Sequence, residues 1–414
     1  MARSRGLQAS LLIAFGGAAF SLGNLFLARQ LPPPEYGRLA LMVAIVVISG
    51  SAAPAGLDQL LLRRDIPITP RFLAYALLSA TGTSLLFGVL ALQVYGLPPV
   101  KVALLAFTTL AAAFLRLAAG ALRRHGRLLT SVLADTAPDW ILLMIGLAAL
   151  ATWAVAGAQA AMAAYAVGTL AVTALAWIPL MSLERDGGDG AGRVNWREVL
   201  PLFGIAVAGA VLVQAERVLI PLLLDLADLA VFAVLAALVI APFRVLGGGI
   251  LASLTQQVRL AEGAEARRRA VRQEILNCAV LMGLATAAIC ILGPLAAQLM
   301  TSGRYELTFA LMAGACANGL AKIVQAFPRA IITGAGSTAE LQGLNRFIWL
   351  SVAGTIIGAL LGCRFGLVGL MAGAALGSLA ATAPTVVLAQ RLLRATPRAD
   401  DGGAGAAAVV KSAR

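Results

Sequence analysis

The sequence predicts an all-α polytopic membrane protein, with twelve transmembrane helices in two six-helix bundles. Three observations carry that reading. The mean hydropathy is +0.90. Only 12% of the residues are charged, against about 25% in a typical soluble domain. Apolar stretches of about 18 or more residues recur along nearly the whole length, which a soluble core does not need. A β-barrel would show short alternating segments instead, and an open strand would leave backbone polar groups unsatisfied in lipid.

Hydropathy places the spans at 7–28, 39–62, 72–95, 101–122, 129–152, 159–182, 200–222, 228–254, 275–298, 307–332, 344–363 and 367–392. Each is close to the roughly 20 residues that cross the hydrocarbon layer at 1.5 Å rise. The first follows a basic start like that of a signal peptide, but its apolar stretch is too long and no small-x-small cleavage site follows, so it reads as a retained helix. Between the first two spans lies LARQLPPPEYGRLAL, a hairpin whose prolines stiffen the turn and whose Gly37 lets the chain bend into the next helix. The glycine-rich, charged segment 183–199 divides a bundle at 1–182 from a second at 200–394 and reads as a flexible cytoplasmic linker. The tail at 395–414 is low-complexity and reads as disordered. The halves align faintly: PPEYGRLAL at 33–41 follows the first span much as LADLAVFAV at 226–234 follows the seventh.

The net charge of +13 does not point to nucleic acid, because the basic residues fall in short clusters between apolar runs. One alternate set of segments holds Arg123, Arg124 and Arg127, then Arg267, Arg268, Arg269 and Arg272, and further arginines at both ends of the chain. The other set holds only Arg29, Arg38, Lys101, Arg304 and Arg364. The positive-inside rule then puts both termini in the cytoplasm. Cys278, Cys290, Cys316 and Cys363 lie in apolar segments without metal-ligand spacing and read as free thiols. No Walker A motif and no soluble domain for a transferase are present, so the sequence does not read as an enzyme, and no cofactor or metal is expected.

Ionisable residues in mid-span are costly, at roughly 2.5–3.5 kcal/mol on insertion scales, and so face a cavity or a partner. The tenth span carries Asn318, Lys322, Gln325 and Arg329 at spacings that share one helical face. The seventh carries Gln214 and Arg217 on one face with Glu216 beside them, where Arg217 either pairs with an acid or lines a cavity. Arg244 stands in APFRVLGGG, a hinge or a close-packing site, and Arg116 lies in the fourth span. These eight polar residues, without Glu216, form a candidate cationic cavity suited to phosphate oxygens. Asp58, Asp135, Asp139 and Glu216 are candidates for ion coupling, although Asp135 and Asp139 could equally pair with the arginines at 123–127.

Three stretches bear a family resemblance: Glu35-Tyr36-Gly37 with Gly56-Leu57-Asp58 and Arg63, the Gly303-x-Tyr305 turn, and CRFGLVGLMAGAALGSL at 363–379, with Phe365 for the usual tyrosine. In this order they resemble the polysaccharide (O-antigen-type repeat-unit) flippases, Wzx-like proteins of the MOP exporter superfamily that also includes the MATE antiporters. Where that family often has Gly-x-Tyr after the seventh helix, this chain has Ala230, Val231 and Phe232. The resemblance implies a MATE-like fold in a bacterial inner membrane, flipping a polyprenyl-pyrophosphate-linked oligosaccharide between leaflets. It also implies membrane lipids, a polysaccharide polymerase and a chain-length regulator as partners. A multidrug or cation antiporter and a non-transporting scaffold for glycan assembly remain the alternatives.

Overall fold

The computed structural model describes residues 2–63, 66–152, 157–185, 196–261 and 263–394, and these are almost wholly helical. The first half comprises α1 (Ala2–Gln30), α2 (Pro33–Ala52), α3 (Leu57–Arg63), α4 (Pro70–Tyr95), α5 (Pro99–Arg124), α6 (Leu128–Thr152) and α7 (Ala158–Arg185). The second comprises α8 (Trp196–Leu223), α9 (Leu226–Leu235), α10 (Ala241–Leu260), α11 (Ala264–Thr301), α12 (Phe309–Ala335), α13 (Thr338–Gly362) and α14 (Gly366–Arg394). Among the described residues, eleven stretches are long and apolar enough to cross a membrane, and the last of them, 339–394, covers both α13 and α14. This is a multi-pass membrane protein with twelve crossings.

Each half packs mainly on itself: α1 on α6 and α5 on α7 in the first, α10 on α12 and α14 on both α12 and α13 in the second. The second half's tightest seam is a pair of glycine ladders. Gly354, Gly358 and Gly362 of α13 meet Gly377, Gly373 and Gly369 of α14, each where a Cβ would strike the opposite backbone carbonyl. Lipid supplies no hydrophobic drive to join two helices, so close backbone approach must hold them. The large side chains left exposed, such as Leu78, Leu86, Leu284 and Ile291, clothe the lipid-facing sides of α4 and α11.

Two spans depart from a continuous helix. The second expected span breaks between α2 and α3, where Pro54 lacks an amide hydrogen and Ala55 and Gly56 take positive φ. The eighth passes from α9 to α10 through a π-helical turn at Ala236–Ile240. Gly37 also differs from its expected use. The turn is made by Leu31 and Pro32, α2 starts at Pro33, and Gly37 lies inside the helix. Its hydrogen faces the Leu226 carbonyl of α9, where no Cβ would fit. The segment expected as a linker is shorter than 183–199, since α7 runs through Arg185 and α8 starts at Trp196; its remainder and the tail 395–414 lie outside the described residues.

The halves meet along α2, α8 and α9. One end of the molecule carries the start of α1 and the finish of α5 at Arg123 and Arg124; this is its basic end. The opposite, hairpin end is closed. Tyr36 is fully buried, donates to Asn24 Oδ1 (3.3 Å) and meets Tyr305 edge-on with ring centroids 6.4 Å apart. Arg304 donates to the Leu31 carbonyl (3.2 Å), and Glu35 pairs with Arg38 while accepting from the Ala158 amide (3.1 Å).

Replacing Gly358 with Leu should force α13 from α14 and destabilise the protein by about 1–3 kcal/mol or more. Gly283→Leu, on the open side of α11, should be nearly neutral. Thermal unfolding of the two purified variants, followed by size-exclusion, separates the cases; equal midpoints would refute the ladder.

Candidate functional site

Between the halves lies a cavity of about 460 Å³. It is walled by α1, α2, α5 and α6 on one side and by α8 and α10 on the other, with Phe20, Arg116, Tyr165, Gln214 and Arg244 among its lining. Its mouth faces the basic end, where Asp58, Gln59, Arg123 and Asp135 line it. At 1.5 Å per residue, Asp58 and Asp135 lie within roughly 10 Å of their helices' ends there. Gln214 and Arg244 lie roughly 25 Å along α8 and α10, at the blind end, with Arg116 and Asp139 between.

The charges are therefore layered by depth. At the mouth Arg123 is held by Asp135 (2.5 Å) and donates to Ser131 (3.1 Å), so these two largely cancel. Asp58 is bound to Gln59 (3.0 Å). Deeper, Arg244 donates to the Val213 carbonyl (2.9 Å), while its Nε has no partner among the described residues. Arg217 is only 1% exposed and stands just behind the cavity wall, its guanidinium 5.4 Å from the centroid of the Phe20 ring. One of its nitrogens reaches Gln214 (3.2 Å); Nε and Nη2 have no hydrogen-bond partner among the described residues. Phe20 is thus the lid between Arg217 and the cavity.

Glu216 points the other way. It accepts from Asn318 Nδ2 (2.8 Å) and Lys322 Nζ (2.9 Å to the nearer oxygen), bridging α8 to α12 across a narrow crevice that Gln325, Thr355 and Ser378 also line. The polar stripe on α12 therefore runs along α8, with Arg329 reaching toward Gly209 one turn further on. Arg217 does not pair with Glu216. The structure thus separates the predicted residues: Arg116, Gln214, Arg244, Asp58, Asp135 and Asp139 line the cavity, whereas Lys322, Asn318, Gln325 and Glu216 line the crevice behind it.

Arg217, Arg244 and Lys322 are close enough to feel one another's charge, and Glu216 is the one acid among them. The blind end thus carries more positive than negative charge in a low-dielectric setting, with guanidinium donors left over. Such a site stabilises an anion presenting several oxygens. The residues that sequence reasoning missed are Phe20 and Tyr165, whose lining role has no signature beyond an aromatic in an apolar run.

No family model matches the sequence, and no curated protein matches it. Solved structures do. The fold superposes on an inward-facing multidrug resistance MATE family transporter of the MOP superfamily with a TM-score of 0.67 at 16% identity, covering 93% of this chain and 97% of the other. Against an outward-facing structure of a MATE transporter of the same superfamily the TM-score is 0.58 at 15% identity, covering 94% and 96%. Against the lipid II flippase MurJ in an inward closed conformation it is 0.62 at 9% identity, covering 94% and 90%. The chain has the fold of the MOP-superfamily transporters. The proteins that share it here are exporters and a flippase rather than enzymes.

Removing one partner of the crevice pair should be costly, because an unmatched buried charge remains. Glu216→Gln is expected to destabilise the protein by about 3–5 kcal/mol, and the double change Glu216→Gln with Lys322→Met to recover most of the loss. Denaturation midpoints of the single and double variants in detergent measure this directly.

Proposed function

We propose that the protein flips a polyprenyl-pyrophosphate-linked oligosaccharide from the cytoplasmic to the outer leaflet of a bacterial inner membrane, for surface polysaccharide synthesis. The supporting observation is the excess of cations at and just behind the inner end of the cavity, where Arg217, Arg244 and Lys322 are countered by Glu216, which Lys322 holds in the crevice. A pyrophosphate offers oxygens to the unpaired Arg244 and Arg217 donors, which hydrocarbon cannot satisfy. On this reading both termini are cytoplasmic, the basic end is the entrance, and Arg116 meets the headgroup on the way in. Displacement of Phe20 then gives the anion access to Arg217. Cargo neutralises the repulsion among the cations, and the two halves rock about the α2–α9 contact to open the hairpin end. The chain carries no nucleotide-hydrolysing motif, so net flux comes from an ion gradient or from consumption of the product by a polymerase and its chain-length regulator. Asp139, with no hydrogen-bond partner among the described residues, is the coupling acid best placed in the cavity.

A second reading, a cation or drug antiporter, draws support from Asp58, Asp135 and Asp139 along the outer part of the cavity. Mass analysis of lipid-linked intermediates, with assignment of their leaflet, in cells lacking the gene decides between the two. Pyrophosphate-linked glycans should accumulate on the cytoplasmic side. Arg244→Gln should insert normally yet lower export by tenfold or more, as expected for loss of one charged hydrogen bond. An unchanged lipid pool with raised drug sensitivity would select the antiporter.

A further inference from the structure

A second pocket, of about 340 Å³, lies at the hairpin end, far from the cavity mouth. Arg38, Leu41, Tyr95 and Lys101 line it from the first half, and Pro221 and Leu226 from the second. Lys101 is the anomaly. It is only 8% exposed, and its ammonium has no hydrogen bond or ion pair among the described residues. The nearest acid, Glu35, has one oxygen held by Arg38 and the other by the Ala158 amide. Lys101 also sits in the first turn of α5, where the helix dipole already repels a cation. That turn begins Pro98-Pro99, has no side-chain cap and contains no acid. The amides of Val100 and Lys101 are therefore left to an outside acceptor. A lysine whose stem is buried and whose ammonium opens on the pocket, and an uncapped helix start, thus converge beside the Arg38–Glu35 pair, and both lack an anion.

We infer that this pocket binds the phosphate of a lipid headgroup. The choice of a lipid follows from its surroundings. Tyr95, whose hydroxyl is anchored on the Val218 carbonyl (2.9 Å), sits where interfacial aromatics sit. Below it α4 presents Val94, Leu90 and Leu86 as an exposed apolar track for an acyl chain. Because Pro221 and Leu226 belong to the second half, the headgroup bridges the two halves beside the Gly37–Leu226 contact and fastens that end shut. The site is separate from the central cavity, and neither reading depends on the other.

Native mass spectrometry of the full-length protein, titrated with phosphatidylglycerol, tests it. One phosphatidylglycerol should bind about tenfold more tightly to wild type than to Lys101→Gln, the loss expected for one charged hydrogen bond. Lys101→Arg should restore most of the difference, and diacylglycerol, which lacks phosphate, should show no preference. Equal binding to wild type and Lys101→Gln would overturn the site. Inorganic phosphate that binds alone with the same dependence on Lys101 and displaces the lipid would overturn the lipid assignment in favour of free phosphate. Photolabelling of wild type with a headgroup-diazirine phosphatidylglycerol removes reliance on a variant that fails to fold. Label in the Tyr95–Lys101 turn is expected, and label confined elsewhere would refute the assignment.

Discussion

The arrangement of this protein depends on one close approach. The backbones of α2 and α9 touch where Gly37 faces the Leu226 carbonyl, and that contact shuts one end of the seam between the halves. The halves also meet at the basic end, where α3 packs on the start of α8, and the cavity between them is lined at that end by Asp58, Gln59, Arg123 and Asp135. The buried Tyr36–Tyr305 pair and the Arg304 bond to Leu31 pack around the Gly37–Leu226 contact. None of them could form if a side chain at position 37 held the helices apart.

The electrostatics follow from where closure leaves the charges. The Arg123–Asp135 pair at the mouth is partly exposed and can be screened by water, as exposed ion pairs generally are. At the blind end, Arg217 and Glu216 are almost wholly removed from solvent. The low dielectric there makes each pairing, and each missing pairing, count for more. Glu216 is bound by Asn318 and Lys322, whereas guanidinium donors of Arg217 and Arg244 and the Gln325 amide find no acceptor among the described residues. The unsatisfied guanidinium donors thus lie beside the cavity, and the Glu216–Lys322 pair lies in the crevice.

Much of the fold was legible because lipid imposes a length and a composition on each span. All twelve expected spans lie within or largely within the helices found. The shared face of Asn318, Lys322, Gln325 and Arg329 was legible too, since it depends only on helical period. The partner of Lys322 was not, because Glu216 lies 106 positions away in sequence and on another helix. The break at Pro54 was hidden by the apolar residues that flank it. The glycine ladders of α13 and α14 carry a visible four-residue spacing, yet hydropathy, which weighs glycine as nearly neutral, passes over it.

The π-helical turn at Ala236–Ile240 fits one more residue into its span than a regular helix would hold. One residue is about 100° of rotation, so everything beyond the turn is dialled a quarter-turn or more from where α9 alone would aim it. Arg244 is the first cation after it. The direction in which its guanidinium points is therefore an indexing property of the backbone four to eight residues upstream, not of its own surroundings. A chain shortened by one residue there could keep its hydrophobicity, its length across the bilayer and its arginine, and still present that charge to the wrong neighbour.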